Sequence, residues 1–189
     1  NINAPMDILP ADNSILVIGR QGSGKTFVID QMIKRTELLG KKFHAIYFIG
    51  PSPMPLVTDE NRSSIHSVFP DLEWMLNKCR LWESKAAVEK QKKTICFILD
   101  DCLAQLEKFC NEEEVKQLFW NRRHQFKDVT VSFIFTAQYA RAFPRKFRSC
   151  VNTIIAFSMS EEDWKIVAKD CMFNRSNNHK TLIPIHLST

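Results

Sequence analysis

An α/β fold with a mostly parallel central sheet flanked by helices is what this sequence predicts, and three observations carry the prediction. Short apolar runs of strand length alternate with longer helical patterns along the whole chain. A glycine-rich loop sits between the first run and the first helical pattern. A third apolar run ends in two consecutive carboxylates, at the strand end where open α/β sheets gather their ligands.

The elements follow in order. Ser14–Gly19 (SILVIG) reads as a buried strand, and a helix is expected from about Gly24 to Leu39, stopped by Gly40. His44–Ile49 (HAIYFI) reads as the second strand. The proline-rich stretch Gly50–Pro55 then forbids regular structure. A helix is expected from about Asp71 to Gln91, followed by a third strand, Thr94–Leu99 (TICFIL). From about Glu112 to Phe126 a helix places Val115, Leu118 and Phe119 at core spacing. Val129–Thr136 (VTVSFIFT) and Val151–Phe157 (VNTIIAF) read as the fourth and fifth strands. Ser160 with Glu161, Glu162 and Asp163 marks a helix start. Thr181–Leu187 reads as an edge strand, because Pro184 excludes a central one.

With 189 residues, the chain is expected to form one domain over 1–189, with an extension at about 1–13 and a tail at about 175–189. Hydrophobic residues at 44% against 25% charged favour a folded core over disorder. Six cysteines without CxxC spacing read as reduced, mostly buried thiols of a reducing compartment. No apolar stretch approaches the ~20 residues of a membrane span, and no signal-peptide pattern is seen.

The formal charge of +5 is uneven: the window Arg122–Arg148 carries net +6 and the rest −1. Such a window is either a solvated basic face or a contact for polyanions.

Gly19-Arg20-Gln21-Gly22-Ser23-Gly24-Lys25-Thr26 matches the phosphate-binding pattern GxxxxGK[ST]. Glycines let successive N–H groups curl around phosphates, and the following helix points its N-terminus at the anion. Lys25 is expected on the β- and γ-phosphates of ATP and Thr26 on Mg²⁺. Arg20 is read either as a phosphate contact or as solvent-facing. In Ile95–Asp101 (ICFILDD), Asp100 is the expected Mg²⁺ carboxylate and Asp101 the base or orienter for the attacking water. Gln138, at the tip of the fourth strand, is able to bond both a water and a γ-phosphate oxygen, though a plain polar strand end reads equally from the residues alone.

Taken together, GRQGSGKT, ICFILDD, NRRH (Asn121–His124), SFIFTAQ ending at Gln138, Phe147–Asn152 and the strand IIAF resemble the FtsK–HerA superfamily of P-loop ATPases. The likeness is strongest to the poxvirus-type packaging ATPases of large DNA viruses. The matching pieces run from Ile15 to about Val167. The resemblance implies a RecA-like (ASCE) P-loop NTPase sheet with the fourth strand between the first and third. It implies an ATPase that moves double-stranded DNA, packaging a viral genome as a homo-oligomeric ring on a capsid or portal. One subunit's arginine would complete its neighbour's site; Arg123 and Arg122 match the region that supplies it, and Arg148 is a second candidate. Many superfamily members carry Asp-Glu where this chain has Asp100-Asp101. Arg141, Arg145 and Lys146, on a loop interrupted by Pro144, are the expected DNA contacts. The expected setting is the host cytoplasm or a viral factory, including association with the virion. The competing reading is a small P-loop nucleoside or nucleotide kinase, although no arginine-rich lid is evident.

Overall fold

The structure is a computed structural model, and it describes residues 13–38, 43–51, 62–66, 71–102, 108, 113–172 and 181–185. The strands are β1 (Ser14–Ile18), β2 (Ala45–Gly50), β3 (Arg62–His66), β4 (Lys93–Asp100), β5 (Val129–Ala137), β6 (Thr153–Ala156) and β7 (Thr181–Pro184). They form one seven-stranded sheet in the order β3-β2-β4-β5-β1-β6-β7. Every neighbouring pair is parallel.

Such a sheet must be covered on both faces, so its strands are continuously apolar rather than alternating. All of β1 is buried, and its residues divide between the faces. Ile15 and Val17 pack with Val28, Ile29, Met32 and Ile33 of α1 (Lys25–Leu38). Leu16 and Ile18 belong to the opposite core, with Met75, Leu76 and Cys79 of α2 (Leu72–Glu89) and the rings of Phe97, Phe133 and Phe135. Asp71 caps α2 by accepting the Trp74 N–H at 2.9 Å, and Lys90 ends it in a left-handed conformation.

The fourth strand expected from the sequence is β5, and it lies between β1 and β4. Two findings differ from expectation. β3 adds an edge strand beside β2. The helix expected over 112–126 is broken into α3 (Glu113–Val115), a π-helical turn (Lys116–Trp120) and α4 (Arg122–Gln125). In that turn the Asn121 N–H reaches back five residues to the Lys116 carbonyl at 2.9 Å. Val115, Leu118 and Phe119 are nevertheless buried.

β7 is an edge strand, pairing with β6, which leaves room for Pro184. The helix start at Ser160 is α6 (Glu161–Met172), where Ser160 Oγ accepts the Asp163 N–H at 3.2 Å and donates to Asp163 Oδ2 at 2.8 Å. The stop at Gly40, the prolines at 53 and 55, and the outer ends of both termini lie outside the described residues.

Cys79, Cys96 and Cys102 are buried free thiols, and Cys150 is free and half-buried. Burial pushes Cys79 and Cys102 up to about 12, so they are un-ionised and unreactive near neutral pH. Among the described residues no helix is long and apolar enough to cross a membrane.

Candidate active site

β1, β4 and β5 all run the same way, so their C-terminal ends share one edge of the sheet. That edge holds a cleft of about 520 Å³ lined by Gln21, Gly22, Ser23, Gly24, Lys25, Thr26, Phe27, Pro51, Asp100, Asp101 and Gln138. The structure thus brings together the glycine loop, the paired carboxylates and the strand-tip glutamine.

The loop's geometry explains its glycines. Gly22 and Gly24 have φ of +74° and +93°, in the left-handed region that side chains resist. Gly19 is needed for space: a Cβ there would lie 2.5 Å from Ser23 Oγ and 2.9 Å from Phe157 Cβ. Gly19 is buried at the base of the loop, and exposed Arg20 lines an adjoining cavity of about 190 Å³ with Tyr139 and Arg141. Lys25 Nζ donates to the Gly19 carbonyl at 2.5 Å and the Arg20 carbonyl at 3.0 Å, folding back over its own loop. Burial lowers its pKa, while the carboxylates of Asp100 and Asp101 act in the opposite direction.

The carboxylates are held by a residue to which the sequence reading gave no role. Parallel register sets Asp100 opposite Thr136. The buried Thr136 hydroxyl donates to Asp100 Oδ1 at 2.6 Å and accepts the Asp101 N–H at 3.1 Å. One hydroxyl therefore orients both acids. The register of two parallel strands ending side by side is the signal that finds it. Gly50 also matters, because a Cβ there would come within 3.0 Å of Asp100 Cβ.

Asp101 has φ of +49°. Aspartate is among the few side chains that visit this region readily. The backbone at this position thus accounts for Asp-Asp where relatives of the resembled superfamily carry Asp-Glu. Gln138 Nε2 donates to Asp101 Oδ2 at 3.0 Å, so the strand tip and the candidate base are already joined.

The three arginines part company. Arg122 is 6% exposed, and its guanidinium donates to the Val131 and Phe119 carbonyls and to Ser14 Oγ, each at 2.9 Å. It also lies 5.3 Å from the centre of the Phe133 ring. Arg122 is therefore corrected from a candidate for reaching a neighbour to a clamp inside the core. Arg122→Ala should lower unfolding stability by about 3 kcal/mol, since it orphans two buried carbonyls at ~1–3 kcal/mol each. Urea denaturation measures this, and a wild-type midpoint would return Arg122 to the inter-subunit candidates.

Arg148 donates to the Phe143 carbonyl at 3.1 Å and the Ala140 carbonyl at 3.3 Å, which ties it to its own segment. Arg123 is exposed beside Val129, Thr130 and Val131, at the start of β5. The nine residues of β5 span about 30 Å, so Arg123 lies at the far edge of the sheet from its own cleft.

The basic segment after β5 is more structured than a loop. A 3₁₀ turn (Ala140–Ala142) and the short helix α5 (Arg145–Arg148) flank Pro144. Phe143 and Phe147 are fully buried, while Arg141, Arg145 and Lys146 are exposed. The Ala140 N–H donates to Asp163 Oδ1 at 2.9 Å, pinning the segment to α6. The positive window is consequently not one surface. Its first arginine is internal and its last is partly so.

No sequence-family profile matches the chain, and no curated protein sequence matches it. Solved structures do match. The genome packaging NTPase B204 from Sulfolobus turreted icosahedral virus 2, in complex with ATP-gammaS, aligns with TM-score 0.61 and 12% identity over 85% of this chain and 82% of B204. B204 described as the DNA-packaging ATPase from Sulfolobus turreted icosahedral virus aligns with TM-score 0.55 and 14% identity, over 85% and 83%. The pCW3 conjugation coupling protein TcpA aligns with TM-score 0.54 and 16% identity, over 85% of this chain and 54% of TcpA. The likeness to FtsK–HerA ATPases read from the motifs is thus matched in the backbone, and the chain has the α/β P-loop fold that these ATPases share.

Proposed function

We propose that this chain is an ATPase that drives double-stranded DNA into a preformed viral capsid. The observation that carries the reading is the gathering of Lys25, Thr26, Asp100, Asp101 and Gln138 around one cleft at the C-terminal edge of the sheet. The fold shared with B204 and TcpA supports the same class.

In this reading the loop N–H groups and Lys25 bind the β- and γ-phosphates of ATP. Thr26 and Asp100 fit Mg²⁺, since both offer oxygens to the cleft and Thr136 keeps the carboxylate oriented. The ion would neutralise charge on the phosphate oxygens. Asp101 takes the proton of the attacking water as its oxygen bonds to the γ-phosphorus. Gln138, already bonded to Asp101, is within the same cleft to register whether the γ-phosphate is present. Arg123, remote from its own cleft, serves the next subunit of a homo-oligomeric ring. Arg141, Arg145 and Lys146 contact the DNA backbone without reading bases. The ring would work on a capsid or portal, in the cytoplasm or viral factory.

ATP hydrolysis measured with and without double-stranded DNA tests the whole reading, with nucleosides added separately as acceptors. Turnover should rise with DNA and be indifferent to nucleosides. Transfer of phosphate to a nucleoside would make the chain a kinase instead. Changing Arg141, Arg145 and Lys146 together to Ala should keep basal hydrolysis and lose DNA stimulation. Each lost contact should lower the slope of log affinity against log salt by about 0.9. A triple variant that responds to DNA like wild type would move the DNA path elsewhere.

A further inference from the structure

One wall of the cleft has a chemistry that phosphate and metal do not use. Phe27, next in the chain to Thr26, is 57% exposed and lines the cleft together with Pro51. Its neighbours in α1, Val28 and Ile29, are 1% exposed, so the helix buries its apolar side and leaves this ring out. A phenyl ring exposed to that degree keeps roughly 100 Å² of apolar surface in water. Among the described residues that line the cleft it is the one aromatic side chain.

The glycine loop, Lys25, Thr26, Asp100, Asp101 and Gln138 offer N–H groups, an ammonium, a hydroxyl, an amide and carboxylates. Those groups match phosphate oxygens and a divalent cation. The part of a nucleoside triphosphate that gains from a ring is its base, which has a π-face and poorly hydrated edges. Thr26 and Phe27 are consecutive, so the ring stands one residue beyond the group expected at the metal. A base attached to the phosphate chain can reach that far.

We propose that Phe27 is the base wall of the site, stacking against the nucleobase of the bound nucleotide. This rests on the reading of the cleft as an ATP site and adds to it the contact for the nucleoside. Stacking on a ring face is tolerant of base identity, so this wall accepts adenine and guanine alike.

The test uses calorimetric titration of wild type and Phe27→Ala with Mg-ADP and, separately, with Mg-tripolyphosphate. Phe27→Ala should weaken Mg-ADP binding about tenfold and leave tripolyphosphate binding as in wild type. In Phe27→Trp, indole emission should change on adding Mg-ADP but not tripolyphosphate. Phe27→Ala that binds Mg-ADP like wild type overturns the proposal, as does an equal loss for both ligands. Emission of Phe27→Trp that shifts with protein concentration alone overturns it too, placing the ring between subunits. Wild-type protein that binds neither ligand removes the nucleotide reading of the cleft itself, a failure distinct from that of Phe27.

Discussion

Lys25→Ala should lower ATP turnover by ~10³-fold or more while leaving the fold intact. The side chain's two hydrogen bonds go to the Gly19 and Arg20 carbonyls of its own loop, and none ties the core together. Its ammonium is half-buried and close enough to Asp100 and Asp101 for their charges to act on it. In the proposed reaction it moves from those carbonyls to the phosphates, where negative charge builds as the phosphoryl group transfers. Phosphate release measured at saturating ATP gives the rate, and circular dichroism with thermal melting checks the fold. Turnover near the wild-type value would remove the phosphate-loop assignment, whatever the fold comparison says.

Arg123→Ala should lose a similar amount, about 10³-fold or more, for a different reason. Arg123 stands beside the start of β5 while the cleft is at that strand's other end. The variant should therefore bind Mg-ATP with wild-type affinity and fail only in hydrolysis. Mixing it with Lys25→Ala subunits should restore part of the activity, because some interfaces then pair an intact cleft with an intact arginine. Turnover across mixing ratios is the measurement, with labelled subunits reporting that the rings are mixed. No recovery at any ratio would mean that Arg123 does not act across a subunit boundary, and Arg148 would be tested next.

The fold was legible because an all-parallel sheet buries both faces of its strands. SILVI, AIYFI, TICFIL and VTVSFIF are uninterrupted apolar runs for that reason, and turn residues bound them. β3 was not legible. RSSIH is polar at most positions and pairs along one side only, so no hydrophobic run announces it. The cleft was legible where chemistry fixes residue type: the glycines, Lys25, Thr26 and the paired acids. Thr136 escaped because its importance lies in register, and register is a relation between two strands that a single run of residues does not carry. Phe27 escaped for the opposite reason. A phenylalanine in the first turn of a helix reads as core, and only the packing shows which side of α1 it takes.

Arg122 and Arg123 are the hardest case, since side by side they have the same chemistry. What separates them is the π-helical turn at Lys116–Trp120, which holds one residue more than an α-turn would. Each residue of a helix turns the chain by about 100°, so that single extra residue decides which guanidinium enters the core and which meets the outside. Seen in this way, the turn is a counting device. Deleting one residue from it would rotate the following pair, aiming Arg123 inward and Arg122 into solvent. The protein would keep its full complement of arginines and still exchange its clamp for its reach. Insertions and deletions in this stretch are thus constrained far more tightly than substitutions, even though nothing in it touches the cleft.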